Sequence, residues 1–200
     1  MSHKYYVPNP GSQIGQDVFV LETLNNKVSG TFVDVGSAHP SQINNTYILE
    51  KQYGWTGISV DLGESTLASW NTWANPQEYK SFWEAERNTP IITGNALEMD
   101  FSKLFNEHSL PKVIDYLTID LEPPDSLECL INLPFDEYCF RTITFEHATA
   151  MGFRIADTAR EFLGKRKYVL VKTVKGQDDF FVHSSLGLSG LSPPPPGSFF

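Results

Sequence analysis

Cysteine is nearly absent from this chain: Cys129 and Cys139 are the only two among 200 residues, and no C-x-x-C pair occurs. Two thiols are too few for a cysteine-built zinc site. They fit a pair of buried thiols in a reducing compartment better than a disulfide framework. No apolar run reaches the roughly eighteen residues that a membrane-spanning helix needs, and Met1-Ser-His-Lys-Tyr-Tyr6 lacks the apolar stretch of a signal peptide. These absences predict a cytoplasmic protein. Positive charge is short as well, with 15 Lys and Arg against 24 Asp and Glu and a net charge of −9. A non-specific polyanion binder shows the opposite balance, because phosphate neutralisation carries much of its affinity. A nucleic-acid partner is therefore disfavoured, and the one basic cluster, Lys165-Arg-Lys167, reads as a solvated turn.

Glycine is missing where a dinucleotide site would need it. The run Gly30-Thr-Phe-Val-Asp-Val-Gly-Ser-Ala-His-Pro40 is an apolar segment ending in an acid and a glycine, and Gly57-Ile-Ser-Val-Asp61 is a second apolar segment ending in an aspartate. This is the pattern of a βαβ unit whose second strand presents a carboxylate to ribose hydroxyls. Only Gly36 is present of the G-x-G-x-x-G turn, with Ala38 and Pro40 beyond it. An NAD-dependent dehydrogenase is thus disfavoured. A single glycine suits a nucleoside ligand without phosphate, of which S-adenosylmethionine is one.

Length and 40% hydrophobic content allow one domain with a real core, predicted over residues 1–184, with 185–200 a Pro-rich flexible tail. Apolar spacing predicts an amphipathic helix over 12–28 with Ile14, Val18, Leu21 and Leu24 inward. Strands are expected at Thr31–Val35, Gly57–Val60, Pro90–Thr93, Val113–Ile119, Phe140–Phe145, Tyr168–Lys172 and Asp179–His183. Helices are expected over Ile43–Tyr53, around Phe101–Phe105 and Leu127–Ile131, and over Ala150–Leu163. The segment from Glu64 to Arg87 reads as one or two helices, its aromatics Trp70, Trp73, Tyr79, Phe82 and Trp83 being either core or an aromatic wall for a sugar. Strands alternating with helices, closed by a hairpin at Lys175-Gly176, predict an α/β doubly wound, mostly parallel sheet with one antiparallel strand near the C-terminus.

Several motifs in order carry a resemblance. Ser12-Gln-x-Gly-Gln-Asp17, Phe32-Val-Asp-Val-Gly36, Asn45-Thr-Tyr-x-Leu-Glu-Lys51, Gly54-Trp-x-Gly57 with Asp61, Asp115-Tyr-Leu-Thr-Ile-Asp-Leu-Glu122 and Ile143-Thr-Phe-Glu-His147 together resemble the FkbM-type family of S-adenosylmethionine-dependent methyltransferases, from about Ser12 to His183. The resemblance implies the seven-stranded Rossmann-like, class I methyltransferase fold and O-methylation, often of a sugar or glycan hydroxyl. A phenolic or polyketide acceptor and a non-catalytic S-adenosylmethionine-binding module are the alternatives. One departure stands out: relatives read acid-Gly-x-Glu after the fourth strand where this chain reads Glu122-Pro-Pro-Asp125.

Ligands of open α/β sheets sit at the carboxyl ends of the strands, which nominates five clusters. Asp34, Gly36 and Ser37 would meet the methionine part of the cofactor, Asp61 the ribose unless it caps the next segment, and Asn95-Ala96 the adenine unless Asn95 only shapes a turn. Gln13 and Gln16 either reach the ligand or lie on the surface. Asp120, which also belongs to the cofactor set, joins Glu122, Glu146 and His147 as the catalytic candidates. One of them, or His39, would remove the hydroxyl proton, or Asp120, Glu146 and His147 would hold Mg²⁺ or Mn²⁺ to stabilise the alkoxide. His183 reads as structural.

Overall fold

The computed structural model describes residues 11–63, 75–174 and 176–186. Its elements are α1 (Gln16–Thr23), β1 (Thr31–Val35), α2 (Tyr47–Tyr53), β2 (Thr56–Asp61), α3 (Pro76–Glu86), β3 (Ile91–Thr93), α4 (Phe101–Glu107), β4 (Val113–Ile119), α5 (Asp125–Asn132), β5 (Cys139–Glu146), α6 (Ala156–Gly164), β6 (Tyr168–Thr173) and β7 (Asp178–His183). The strands form one sheet in the order β3-β2-β1-β4-β5-β7-β6. β7 runs antiparallel to both its neighbours, and the remaining pairings are parallel. β1 pairs with β2 on one side and β4 on the other, so the chain order reverses there. That reversal is the switch point at which a doubly wound sheet opens a crevice.

The sheet's two faces differ in chemistry. On one, Val33, Val35, Ile58, Val60, Leu117, Ile119, Ile143 and Phe145 are buried with Phe101 and Phe105 of α4, Leu130 of α5 and Leu163 of α6. The other face is apolar only toward its lower half, where Phe32, Tyr116, Phe180 and Val182 pack with Phe19 and Val20 of α1, Leu49 of α2 and Trp55. Higher up, the same alternation brings up Asp34, Ser59, Thr118 and Thr144, which face one another across the ladder or share its side. A buried, polar upper half on a central sheet is a costly arrangement that marks the site.

Three expected elements are shorter than the spacing predicts. The 12–28 helix is confined to Gln16–Thr23, because Gly15 is left-handed at φ 87° and Asn25 and Asn26 are left-handed beyond it. Val18, expected inward, is 52% exposed, while its neighbours Phe19 and Val20 face the core. The helix expected from Ile43 begins at Tyr47, leaving Asn44, Asn45 and Thr46 as buried polar loop residues. The helix expected from Ala150 begins at Ala156, after a single tight turn at Thr149–Met151 that ends on left-handed Gly152.

α3 starts where its sequence dictates: Asn75 accepts hydrogen bonds from the Gln77 and Glu78 amides, and Pro76 fills the first position. Tyr79 and Trp83 are buried against Ile91, which gives these two the core role. Trp70, Trp73, Lys175 and the four-proline run of the expected flexible tail lie outside the described residues. Ser185 and Leu186, counted with that tail, belong to a one-turn helix after β7.

Candidate active site

The loop after β1 is fixed by its own chain. Gly36 has φ 81°, and a Cβ there would lie 2.1 Å from the carbonyl oxygen of Asp120. The amides of Gly36 and Ser37 donate to the Val60 carbonyl at 2.9 and 3.3 Å. Ala38, also left-handed, donates to Asp61 Oδ2 at 2.9 Å, while its carbonyl accepts from the Tyr79 hydroxyl at 2.7 Å. The Gly63 amide donates to Asp61 Oδ1 at 2.8 Å. Asp61 is therefore the peg of the loop as well as the expected ribose partner, and each carboxylate oxygen keeps a lone pair for a hydroxyl. Burial raises its carboxyl above the usual range against the pull of these two amides.

A shallow crevice opens beyond β2 and β3. It brings together Asp61, Asn95 and Ala96, and adds Leu62, Leu121 and Asp125, which the sequence reading did not assign. Apolar walls with a few polar groups are what a nucleoside ring needs. The Asn95 side-chain oxygen already accepts from the Leu97 amide at 3.0 Å, so one lone pair remains for a ligand amine. The Glu122-Pro-Pro-Asp125 departure explains the new member: the Asp125 amide closes a turn onto the Glu122 carbonyl at 3.1 Å, and α5 begins with Asp125 on the crevice wall.

At the upper end of β4, β5 and β7 the sheet carries three carboxyl side chains in a row, Asp120, Glu146 and Asp178. Glu146 and Asp178 are directly opposed in the β5–β7 ladder. Burial, a hydrogen bond to Asp120 and repulsion from Asp120, Asp178 and Glu122 push Glu146 up to about 9. Burial and the Asp120 charge push Asp178 up to about 7. A carboxyl raised this far favours its protonated form at neutral pH, in which it can donate to Asp120. Gln16, 2% exposed, donates from Nε2 to Asp178 Oδ2 at 3.1 Å, which places it in the site. Gln13 is on the surface. Asn45 donates from Nδ2 to Asp120 Oδ2 and to Thr118 Oγ1, both at 3.0 Å, and its Oδ1 has no partner.

Asp178 and Asn45 were absent from the expected set. The signal for Asp178 is topological: an antiparallel strand begins, rather than ends, at the edge where its parallel neighbours end. Asp34 and Ser37 are both buried. Asp34 accepts from the Thr46 hydroxyl at 2.7 Å, its other oxygen is unpartnered, and burial pushes it up to about 7. It therefore supports the loop from below rather than lining the crevice.

His147 does not join this group. Consecutive strand residues point to opposite faces, so beside Glu146 the His147 ring turns to the other side, where it is 1% exposed. Its Nδ1 accepts from the Thr149 amide at 3.2 Å, and its Nε2 lies 3.6 Å from Asp179 Oδ1, beyond hydrogen-bond length. The expected cation set of Asp120, Glu146 and His147 is accordingly not assembled, and among the described residues no three His, Cys, Asp or Glu side chains converge for a metal. Nor does His147 reach the site as a base. His39, the other candidate, accepts from the Ser41 and Gln42 amides at Nδ1, which leaves its proton on Nε2. His183 packs edge-on against Tyr168, in keeping with a structural part.

No family model matches the chain, and no curated protein matches it. Solved structures do. A TDP-rhamnose 3'-O-methyltransferase of calicheamicin biosynthesis is 15% identical, with TM-score 0.58 over 84% of this chain and 77% of that one. A Klebsiella pneumoniae protein described as an O-methyltransferase is 13% identical, with TM-score 0.51 over 86% and 81%. A Clostridium thermocellum protein described as an rRNA methylase is 13% identical, with TM-score 0.51 over 86% and 95%. With the strand order and the reversed seventh strand, these likenesses establish that the chain has the class I methyltransferase fold.

Proposed function

We propose that the protein is an S-adenosylmethionine-dependent O-methyltransferase of FkbM type acting on a hydroxyl of a sugar or glycan. The observation that carries the cofactor reading is the meeting of Asp61, Asn95 and Ala96 in one crevice beside a loop with a single glycine. Asp61 would hold the ribose, and Leu62 and Leu121 would flank the adenine. Gly36 and Ser37 would stand beside the methionine part. Bound S-adenosylmethionine supplies a methyl group already activated on a sulfonium, so the chain's own work is positioning and proton removal.

Asp120 is the residue for that work. It follows the central strand β4, its carbonyl lies under Gly36, and its carboxylate is steered by Asn45. A hydroxyl held by Asp120 would pass its proton to that carboxylate as its oxygen takes the methyl group and the sulfonium–methyl bond breaks, which leaves Asp120 neutral. The acidic surroundings oppose a phosphate-bearing acceptor, in line with the net charge of −9. Methyl transfer from labelled S-adenosylmethionine onto a panel of monosaccharides and glycans tests the reading. Labelled product from at least one sugar is expected, with Asp120→Asn losing roughly 10²–10⁴-fold in turnover. Labelling of phenols alone would overturn the sugar assignment.

A further inference from the structure

Three carboxyl groups, Asp120, Glu146 and Asp178, stand at the top of β4, β5 and β7 with no basic side chain paired to them among the described residues. Among the described residues, no lysine or arginine forms an ion pair with Asp120, Glu122, Glu146 or Asp178, whereas three other buried acids on or beside the sheet are paired. Asp115 meets Lys27 and Arg141, Glu50 meets Arg87, and Asp179 meets Arg160. The second observation is Asn45. It is 4% exposed, its Nδ2 is spent on Asp120 and Thr118, and its Oδ1 has no donor. A buried acceptor left open costs about as much as a lost hydrogen bond. The cluster therefore holds carboxyl oxygens and, beside Asp120, a buried amide oxygen without a donor, and what it lacks is a positively charged partner.

Position tells which ligand would supply it. Adjacent strands lie about 4.8 Å apart, and the nucleoside crevice is at β2 and β3, on the far side of β1. A cofactor reaching from there to Gly36 and Asp120 ends at β4, whereas Glu146 and Asp178 lie one and two strands further on. They belong to the acceptor's side. We propose that the acceptor carries a protonated amine, received between Glu146 and Asp178 with Asn45 and Gln16 as polar walls, so that the methylated hydroxyl belongs to an amino-bearing compound such as an amino sugar. This rests on the methyltransferase reading and narrows its substrate class.

The test uses matched pairs that differ only in amine against hydroxyl: glucosamine against glucose, galactosamine against galactose, and tyramine against 4-(2-hydroxyethyl)phenol. Each is assayed for methyl transfer from S-adenosylmethionine with the full chain. Binding of S-adenosylhomocysteine is measured separately, so failure of the methyltransferase reading shows as absent cofactor binding. The amine member is expected to be favoured by about tenfold or more in kcat/KM in at least one pair, the scale of a close charge pair. In Asp178→Asn, and independently in Glu146→Gln, that preference falls toward unity while S-adenosylhomocysteine still binds. An equal response to both members of every pair, including no response to either, overturns the proposal, as does a preference that survives both substitutions.

Discussion

The α-carbon of Gly36 lies directly against the backbone of Asp120: a side chain at 36 would put its Cβ 2.1 Å from the Asp120 carbonyl oxygen and 2.7 Å from the carbonyl carbon. The loop after β1 and the end of β4 thus close on each other at the switch point of the sheet. Glycine is required there for contact within the chain before any ligand arrives. Both conditions on Gly36, its φ of 81° and this contact, are violated by the smallest substitution. Gly36→Ala is expected to destabilise the fold by roughly 2–4 kcal/mol, from left-handed strain plus displacement of a backbone, and to abolish cofactor binding. Urea denaturation measures the first effect. A variant as stable as the parent would mean that the loop does not touch β4.

Arg87 holds the other side of the same loop. Its guanidinium is fully buried and donates to Glu50 Oε2 at 2.7 Å, the Pro40 carbonyl at 2.9 Å, Asn44 Oδ1 at 3.0 Å and Thr46 Oγ1 at 3.0 Å. Burial raises Glu50, and Arg87 with Thr89 and Asn88 more than reverses this, leaving it below the usual range. Arg87→Met strands a buried carboxylate and is expected to cost roughly 3–5 kcal/mol. Double substitution with Glu50→Gln should recover much of that loss, because the uncompensated charge goes with it. Additive losses in the cycle would contradict the coupling.

The carboxyl pocket sets a pH dependence opposite to ordinary acid denaturation. Glu146 rises from 4.5 in an unconstrained chain to about 9, and Asp178 and Asp34 rise from 3.8 to about 7. The folded protein then binds more protons than the unfolded chain between these values, so stability falls as pH rises. Their contribution is full below the unfolded values near 4 and is lost as pH climbs through 7 and then 9. The melting temperature of the unliganded protein should therefore drop from pH 7 to 9, at roughly 2–4 °C per kcal/mol for a chain of this size. Glu146→Gln should flatten that upper limb. A flat or rising profile in the parent would show the pocket to be uncoupled from folding.

Much of the architecture was legible in the sequence. Val113–Ile119 was legible as a central strand from its apolar run, and all but the first of its residues are buried; Asp61, Asn95 and Ala96 were marked by standing at predicted strand ends. What escaped has physical reasons. Consecutive polar residues after a strand look equivalent in sequence, yet pleating sends Glu146 to the site and His147 away from it. Asp178 was hidden because only the antiparallel course of β7 brings its first residue to the carboxyl edge. Asn45 lay inside a predicted helix, and the buried polar loop that replaces the helix's first turn is held by tertiary hydrogen bonds to Arg87 and Asp120 rather than by local propensity. Val18 has the right spacing for the core, but left-handed Gly15 resets the phase of the helix that carries it.

The central claim, a class I methyltransferase whose nucleoside crevice is organised by Asp61, is tested most directly by titration calorimetry with S-adenosylhomocysteine on the parent chain and on Asp61→Ala. The account predicts one-to-one binding to the parent. It predicts affinity weaker by roughly 1–3 kcal/mol in the variant, the loss expected for charge-assisted hydrogen bonds to the ribose, with an unchanged far-ultraviolet circular dichroism spectrum. No binding to the folded parent, or equal affinity in the two proteins, would contradict it.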